Sequence, residues 1–262
     1  MTEARPSVLG RAARPASRLW TGLLDVVMPQ TCVACGRWIS GDARQPMCAP
    51  CWSALVADAS RPYCRRCGRA SSPLTCDDHG CGRCRKERFW NTAGMVRIGD
   101  YHVQPLQRLI TAMKYRGERR ALDLLVELLA QRLAQAPWHS EIELLVPVPM
   151  HVLRRWQRPC EHAVELARGL GERLGLPVRR AAVRRTRHTA SQTGLISRRQ
   201  RFLNVQGCFG PARRPGVDGK VVCVVDNLVV SGATLHEVAK VLRASGARRI
   251  YAAVAARTES RG

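Results

Sequence analysis

Residues 221–235 read VVCVVDNLVVSGATL: an unbroken run dominated by valine, an acidic residue, then small and hydroxyl residues opening onto a helical pattern. Valines without polar alternation read as a strand buried on both faces, and such strands belong to parallel sheets covered by helices. The stretch therefore points to an α/β architecture. Asp226 falls at the carboxyl end of a strand predicted over 220–225. Ser231, Gly232 and Thr234 set backbone N–H groups and two hydroxyls just ahead of a helix predicted over 235–244, whose positive end favours an anion. Gly232 permits close backbone approach. That order of parts makes a phosphate cradle; an ordinary strand-turn-helix in which Ser231 or Thr234 is only an N-cap fits the same letters.

Cysteine spacing is the second constraint. Four CxxC pairs follow one another: Cys32 with Cys35, Cys48 with Cys51, Cys64 with Cys67, and Cys81 with Cys84. Each pair can aim two thiolates at one tetrahedral ion, and two pairs close a four-cysteine structural zinc site with no open position for catalysis. One arrangement gives the first two pairs to one zinc and the last two to another. A cross-braced arrangement joins first to third and second to fourth. Cys76 and His79 lie inside the last loop as substitutes, whereas Cys160, Cys208 and Cys223 are isolated and read as buried small residues. Gly36 and Gly68, each directly after a pair, suit the turn of a zinc knuckle. Thiols in this number suit a reducing compartment, and the expected location is the cytoplasm.

The remaining chain alternates strands and helices. Strands are predicted over 92–100, 143–148, 177–183, 220–225 and 248–255, and helices over 103–114, 120–135, 161–174 and from 235. The division is residues 1–30, a basic disordered tail and short lead helix; 31–90, the cysteine module; and 91–262, the α/β domain. The apolar stretch 19–28 contains Asp25 and is too short to span a membrane. With 43 Lys plus Arg against 20 Asp plus Glu, the partners expected are anionic: phosphorylated metabolites or nucleic acid. Between His151 and Arg201 stand 13 Arg and 3 Glu, a density suited to phosphate oxygens because guanidinium is a planar two-donor fork.

Residues 221–235 resemble the phosphoribosyl-diphosphate (PRPP) motif of type I phosphoribosyltransferases. With the serial CxxC pairs, the segment LITAMKYRG (Leu109, Lys114, Tyr115, Gly117), VPVPM at 146–150 and the residues Arg185, Thr186, Arg187, Thr189, Gln192, Ser197, Arg201, Asn204, Val205 and Phe209, the chain is similar to the ComF family. That family is associated with DNA uptake in natural transformation. The resemblance implies a type I phosphoribosyltransferase-like parallel sheet behind a small N-terminal double CxxC zinc module.

It further implies that Asp226 and Asn227 meet ribose hydroxyls while Val230, Ser231, Gly232, Ala233 and Thr234 wrap the 5-phosphate. Arg154, Arg158, Arg185, Arg187, Gln192, Arg198 and Arg201 would hold the diphosphate, part of them on a mobile loop over 184–204. Mg²⁺ would accompany PRPP, and an active enzyme would displace pyrophosphate from C1 by a nitrogen nucleophile. The sequence departs from the family at Asn227, where a second acid is usual, at Val230, where Thr is usual, and at Arg158 to His162, where only the Arg is kept. A neutral amide holds a hydroxyl less firmly than a carboxylate, so Asn227→Asp is expected to tighten binding. The alternative is a non-catalytic scaffold that lays single-stranded DNA along the arginine-rich face or docks DNA-uptake proteins.

Overall fold

The structure is a computed structural model that describes residues 30–39, 46–77, 79–87, 92–150, 161–187, 189 and 197–258. The cysteine-rich stretch forms two ribbons with one local design. In the first, a bridge between Thr31 and Trp38 closes a turn in which the Gly36 N–H donates to the Cys32 carbonyl at 2.8 Å. Helix α1 (Ala49–Ala59) begins directly after Cys48, with a proline in its first turn where a missing N–H is harmless. In the second, Tyr63 bridges Ala70, the Gly68 N–H donates to the Cys64 carbonyl at 2.7 Å, and a hairpin of β1 (Cys76–Asp77) and β2 (Gly80–Cys81) leads into α2 (Gly82–Glu87).

The α/β domain follows. Strand β3 (Gly94–Asp100) leads to α3 (Gln104–Thr111), whose last turn widens into a π-helical segment, Ala112–Arg116, ended by Gly117. Then come α4 (Arg119–Ala134), β4 (Leu144–Pro147), α5 (His162–Leu174), β5 (Val183–Arg185), α6 (Arg198–Val205), β6 (Phe209–Pro211), β7 (Val221–Val229), α7 (Ala233–Ala244) and β8 (Arg249–Arg257). The main sheet has the order β3-β8-β7-β4 and every pairing in it is parallel. Its valine run does what such a run must when both faces are dry. Val221, Cys223 and Val225 join α3, α4 and α5 in one core, while Val222 and Val224 join α7 in the other.

Several expectations need correction. β7 does not stop before Asp226: its pairing with β8 continues to Val229 opposite Arg257, so Asp226 sits inside the strand. The predicted strand over 177–183 is a single bridge between Val178 and Leu145. Proline at 177 has no N–H to extend it, and the Arg179 guanidinium bonds the carbonyls of Arg214 and Pro215, after which the chain turns. The true strand there is β5, antiparallel to β6. The loop expected over 184–204 includes the end of β5 and all but the last residue of α6, which Ser197 and Gln200 start with a reciprocal capping box.

The ribbons flank the sheet edge at β3. Residues of the first, Cys32, Val33, Ala34, Met47 and Leu55, pack into the core on the α3 and α4 side. The four cysteines of the second lie in the opposite core beside Met95. Between them, Asp58 of α1 accepts the Asp100 N–H at 2.7 Å, and the Met95 N–H donates to the Arg65 carbonyl at 2.6 Å.

Candidate functional site

The sulfurs of Cys32, Cys35, Cys48 and Cys51 lie within 4.8 Å of one another, as do those of Cys64, Cys67, Cys81 and Cys84. The sulfurs stand 3.7 Å apart for Cys35 and Cys48 and 3.8 Å apart for Cys64 and Cys84, Cys67 and Cys81, and Cys81 and Cys84. Four sulfurs about 2.3 Å from a tetrahedral zinc must stand about 3.8 Å apart, so the donor sets fit zinc in number, chemistry and spacing. Consecutive pairs are thus brought together, and the cross-braced pairing is not seen. Cys76 stays outside the second group, half-buried, its thiol 3.3 Å from Ser71 Oγ, and His79 is exposed. Cys208 and Cys223 are buried; Cys160 lies outside the described residues.

At the other end of the sheet, β7 delivers Asp226 and Asn227 to a cavity of about 430 Å³. The chain then turns through Val230, Ser231 and Gly232 into α7. Gly232 holds φ at +84°, a left-handed conformation that side chains resist, and the Ser231 Oγ accepts the Ala233 N–H at 3.3 Å. Val230 and Thr234 line the cavity with Asp226 and Asn227, while Ser231, Gly232 and Ala233 form the buried turn.

Asp226 is 9% exposed and its Oδ1 accepts the Asn227 N–H at 2.7 Å. Burial pushes its pKa up from 3.8 to about 6, opposed by that N–H, by Lys114, by the Leu228 N–H and by Arg185. The Asn227 amide lies between Asp226 Oδ1 and Lys114 Nζ, and the orientation that satisfies both neighbours puts its nitrogen 2.7 Å from the carboxylate and its oxygen 2.8 Å from the ammonium.

Of the arginines expected at the diphosphate, Arg185 and Arg201 line the cavity. Arg185 is braced by a 2.7 Å bond to Thr189 Oγ1 and by the Phe209 ring, 5.4 Å from its guanidinium carbon. Arg187 bonds the Gln206 carbonyl instead and is not in the cavity wall. Arg154, Arg158 and Gln192 lie outside the described residues, as does the side chain of Arg198.

The wall also holds residues that the sequence reading gave no place in the ribose or diphosphate site: Lys114, Tyr101, His102, Glu161, His162 and Thr258. Lys114 had a signal, since it stands in the LITAMKYRG segment. Thr258 had none: it arrives because its N–H extends the β8 pairing to the Val229 carbonyl.

Arg257 stands between the second ribbon and the turn that frames the cavity. Arg257, fully buried, pairs with Val229 one residue before the turn and accepts the Tyr101 N–H. On its other side a Cβ at Gly68, in the second knuckle, would come within 3.4 Å of the Arg257 side chain.

A double zinc ribbon ahead of a parallel sheet whose strand β7 turns tightly into α7 defines a zinc-ribbon protein of phosphoribosyltransferase type. Residues 23–89 match the double zinc ribbon domain and 160–262 the phosphoribosyl transferase domain, and zinc is the structural metal. Competence protein F of Haemophilus influenzae is 32% identical over 189 residues, covering 70% of this chain and 81% of the relative; the chain belongs to the ComF family. DNA utilization protein YhgH of Escherichia coli is 30% identical over 188 residues, covering 70% of this chain and 80% of that protein. Among solved structures, glutamine PRPP amidotransferase from B. subtilis aligns at 20% identity and a TM-score of 0.35, covering 58% of this chain and 28% of that chain. Among the described residues no helix is long and apolar enough to cross a membrane.

Proposed function

We propose that this chain binds a ribose 5-phosphate carrying a second anionic group, with PRPP the ligand that fits best, and that it serves DNA uptake or DNA utilization in the cytoplasm. The carrying observation is the turn at 230–232, with buried Asp226 just before it and Lys114, Arg185 and Arg201 around the same cavity. The turn offers N–H groups and the dipole of α7 to the 5-phosphate, Asp226 and Asn227 orient the ribose, and the cations meet the second anion. Mg²⁺ bound with PRPP would supply charge neutralisation on the leaving group, with Asp226 beside it to hold the ribose. Among the described residues, Glu161 and Asp226 are the carboxylates that line the cavity. The relatives named for competence and for DNA utilization support the process assigned.

The test is calorimetric titration of zinc-loaded protein with PRPP plus Mg²⁺, with Asp226→Ala as control. Saturable binding lost in the variant is the expected result. No binding to wild type would sink the reading and leave the non-catalytic DNA-handling scaffold, whose mark is single-stranded DNA affinity that falls steeply with salt.

A further inference from the structure

A second cavity, of about 710 Å³, lies between the second ribbon, the start of β3 and the end of α4. It shares no lining residue with the cavity at Asp226. Four arginines line it, Arg61, Arg65, Arg66 and Arg132, against one acid, Asp77. The first ribbon treats the matching positions differently. The two residues inside its first CxxC are Val33 and Ala34, buried in the core on the α3 and α4 side. Inside the third CxxC the same two positions are Arg65 and Arg66, the first exposed and the second half-buried. A zinc knuckle requires its cysteines and its turn, not cations between them. These two are nonetheless held in place, because Cys64 and Cys67 flank them and the Arg65 carbonyl accepts the Met95 N–H at 2.6 Å. Charges fixed in this way meet an anion at less ordering cost than charges on a loose loop. Beside them Arg61 is exposed, with Asp58 3.9 Å away, and Arg132 is braced by the Ala59 carbonyl.

The rest of the lining narrows the kind of anion. Tyr63 is half-buried with the Arg97 guanidinium carbon 5.2 Å from its ring centroid, and Trp138, 8% exposed, stacks on Tyr251 at 4.1 Å. Single-stranded nucleic acid binds by stacking its bases on open rings, and neither ring is an open platform. Pro62, Pro73, Ala93 and Pro137, all exposed, complete a small apolar surface among the cations. Such a surface suits an extended chain with acidic side chains. A second copy of this protein does not qualify, because at a formal net charge of +23 it would be repelled. We infer that this cleft docks an acidic peptide segment of a partner protein, gripped by Arg61, Arg65 and Arg66. The inference does not depend on the ligand proposed for the other cavity.

The experiment follows the fluorescence anisotropy of a labelled oligoglutamate peptide, and of an oligothymidylate of equal charge, titrated with zinc-loaded full-length protein. The cleft variants are Arg65→Glu/Arg66→Glu and Arg61→Glu. The charge-matched control is Arg213→Glu/Arg214→Glu, two exposed arginines that do not line the cleft. Zinc content and melting curves establish that each variant is folded. The double cleft variant is expected to lose about tenfold or more in peptide affinity, Arg61→Glu about threefold, and the control less than about twofold. Oligothymidylate binding is expected to change by less than about twofold in the double cleft variant. Should that variant fail to load zinc, Arg61→Glu decides, and unchanged peptide binding there overturns the inference. It is also overturned by a wild type that does not bind the peptide, by equal losses in the cleft and control pairs, or by folded cleft variants that bind the peptide normally. An oligothymidylate loss matching the peptide's would make the cleft a nucleic-acid surface and overturn the class of partner.

Discussion

The two zinc ribbons share a knuckle and differ in where it is kept. In the first, only Cys32 is buried, and Cys35, Cys48 and Cys51 are partly open to solvent. In the second all four cysteines are buried, among the residues that pack one face of the sheet. The same local sequence device thus yields a partly open site against one core and a fully buried site inside the other. What separates them is the neighbour, not the motif: the second knuckle packs on Met95 and Arg257, and through Arg257 it stands one residue pair from the turn that frames the cavity.

The largest expected effect tests that contrast directly. Cys64→Ser should abolish cooperative unfolding of the whole protein, because a closed four-thiolate zinc contributes on the order of 10 kcal/mol, comparable to the full stability of a domain. Cys35→Ser should lose one zinc and still show a sheet-unfolding transition. Metal analysis with thermal melts measures both, and equal damage would erase the distinction.

The pocket must be kept apart from the metal sites, and pH does that. Asp226 binds its proton more tightly folded, at about 6, than unfolded, at 3.8. Its stabilising contribution is therefore complete below pH 4 and is lost as pH rises through 6, by about 3 kcal/mol at most. Asp226→Asn should gain stability over wild type progressively between pH 4 and 7 and match it below 4. Denaturant melts of the zinc-loaded protein across that range, where a flat difference is expected for any variant confined to the first ribbon, would expose an error in either assignment.

Chelation sharpens the contrast further. Zinc should leave the first site at least about tenfold faster than the second, since release there needs only local opening. Mass spectrometry of alkylated cysteines should find Cys35, Cys48 and Cys51 modified before Cys64 and Cys67. The smallest effect concerns the matched glycines. Gly36 and Gly68 hold φ near +75° and +73°, but a Cβ at Gly36 meets nothing within 4 Å, whereas one at Gly68 falls 2.7 Å from Met95 Sδ. Gly36→Ala should cost about 1 kcal/mol for the backbone alone, and Gly68→Ala about 1 kcal/mol more for displacing Met95. Urea midpoints at constant slope would report the difference.

Much of this was written in the chain where a local pattern was enough. The run at Val221 to Val225 could only be a doubly buried strand, and the CxxC spacing could only gather thiols in fours or oxidise them. What stayed hidden depends on distant partners. β7 extends to Val229 because β8 continues beside it, α6 replaces a loop because Ser197 and Gln200 cap each other, and β5 exists because β6 returns to meet it. No local pattern at Asn227 tells that Lys114, 113 positions earlier, comes to lie beside its amide. No pattern in the letters announced that the two ribbons would pack against opposite faces of one sheet.

The bond from the Met95 N–H to the Arg65 carbonyl ties the second ribbon to the outer side of β3, the end strand of the order β3-β8-β7-β4. An end strand left bare offers its N–H and carbonyl row to any passing chain and templates self-association. Metal shortage would therefore show first as insolubility: a cell that starves this protein of zinc would accumulate sheets with an open seam, and the second ribbon is as much a guard against aggregation as a brace for the fold.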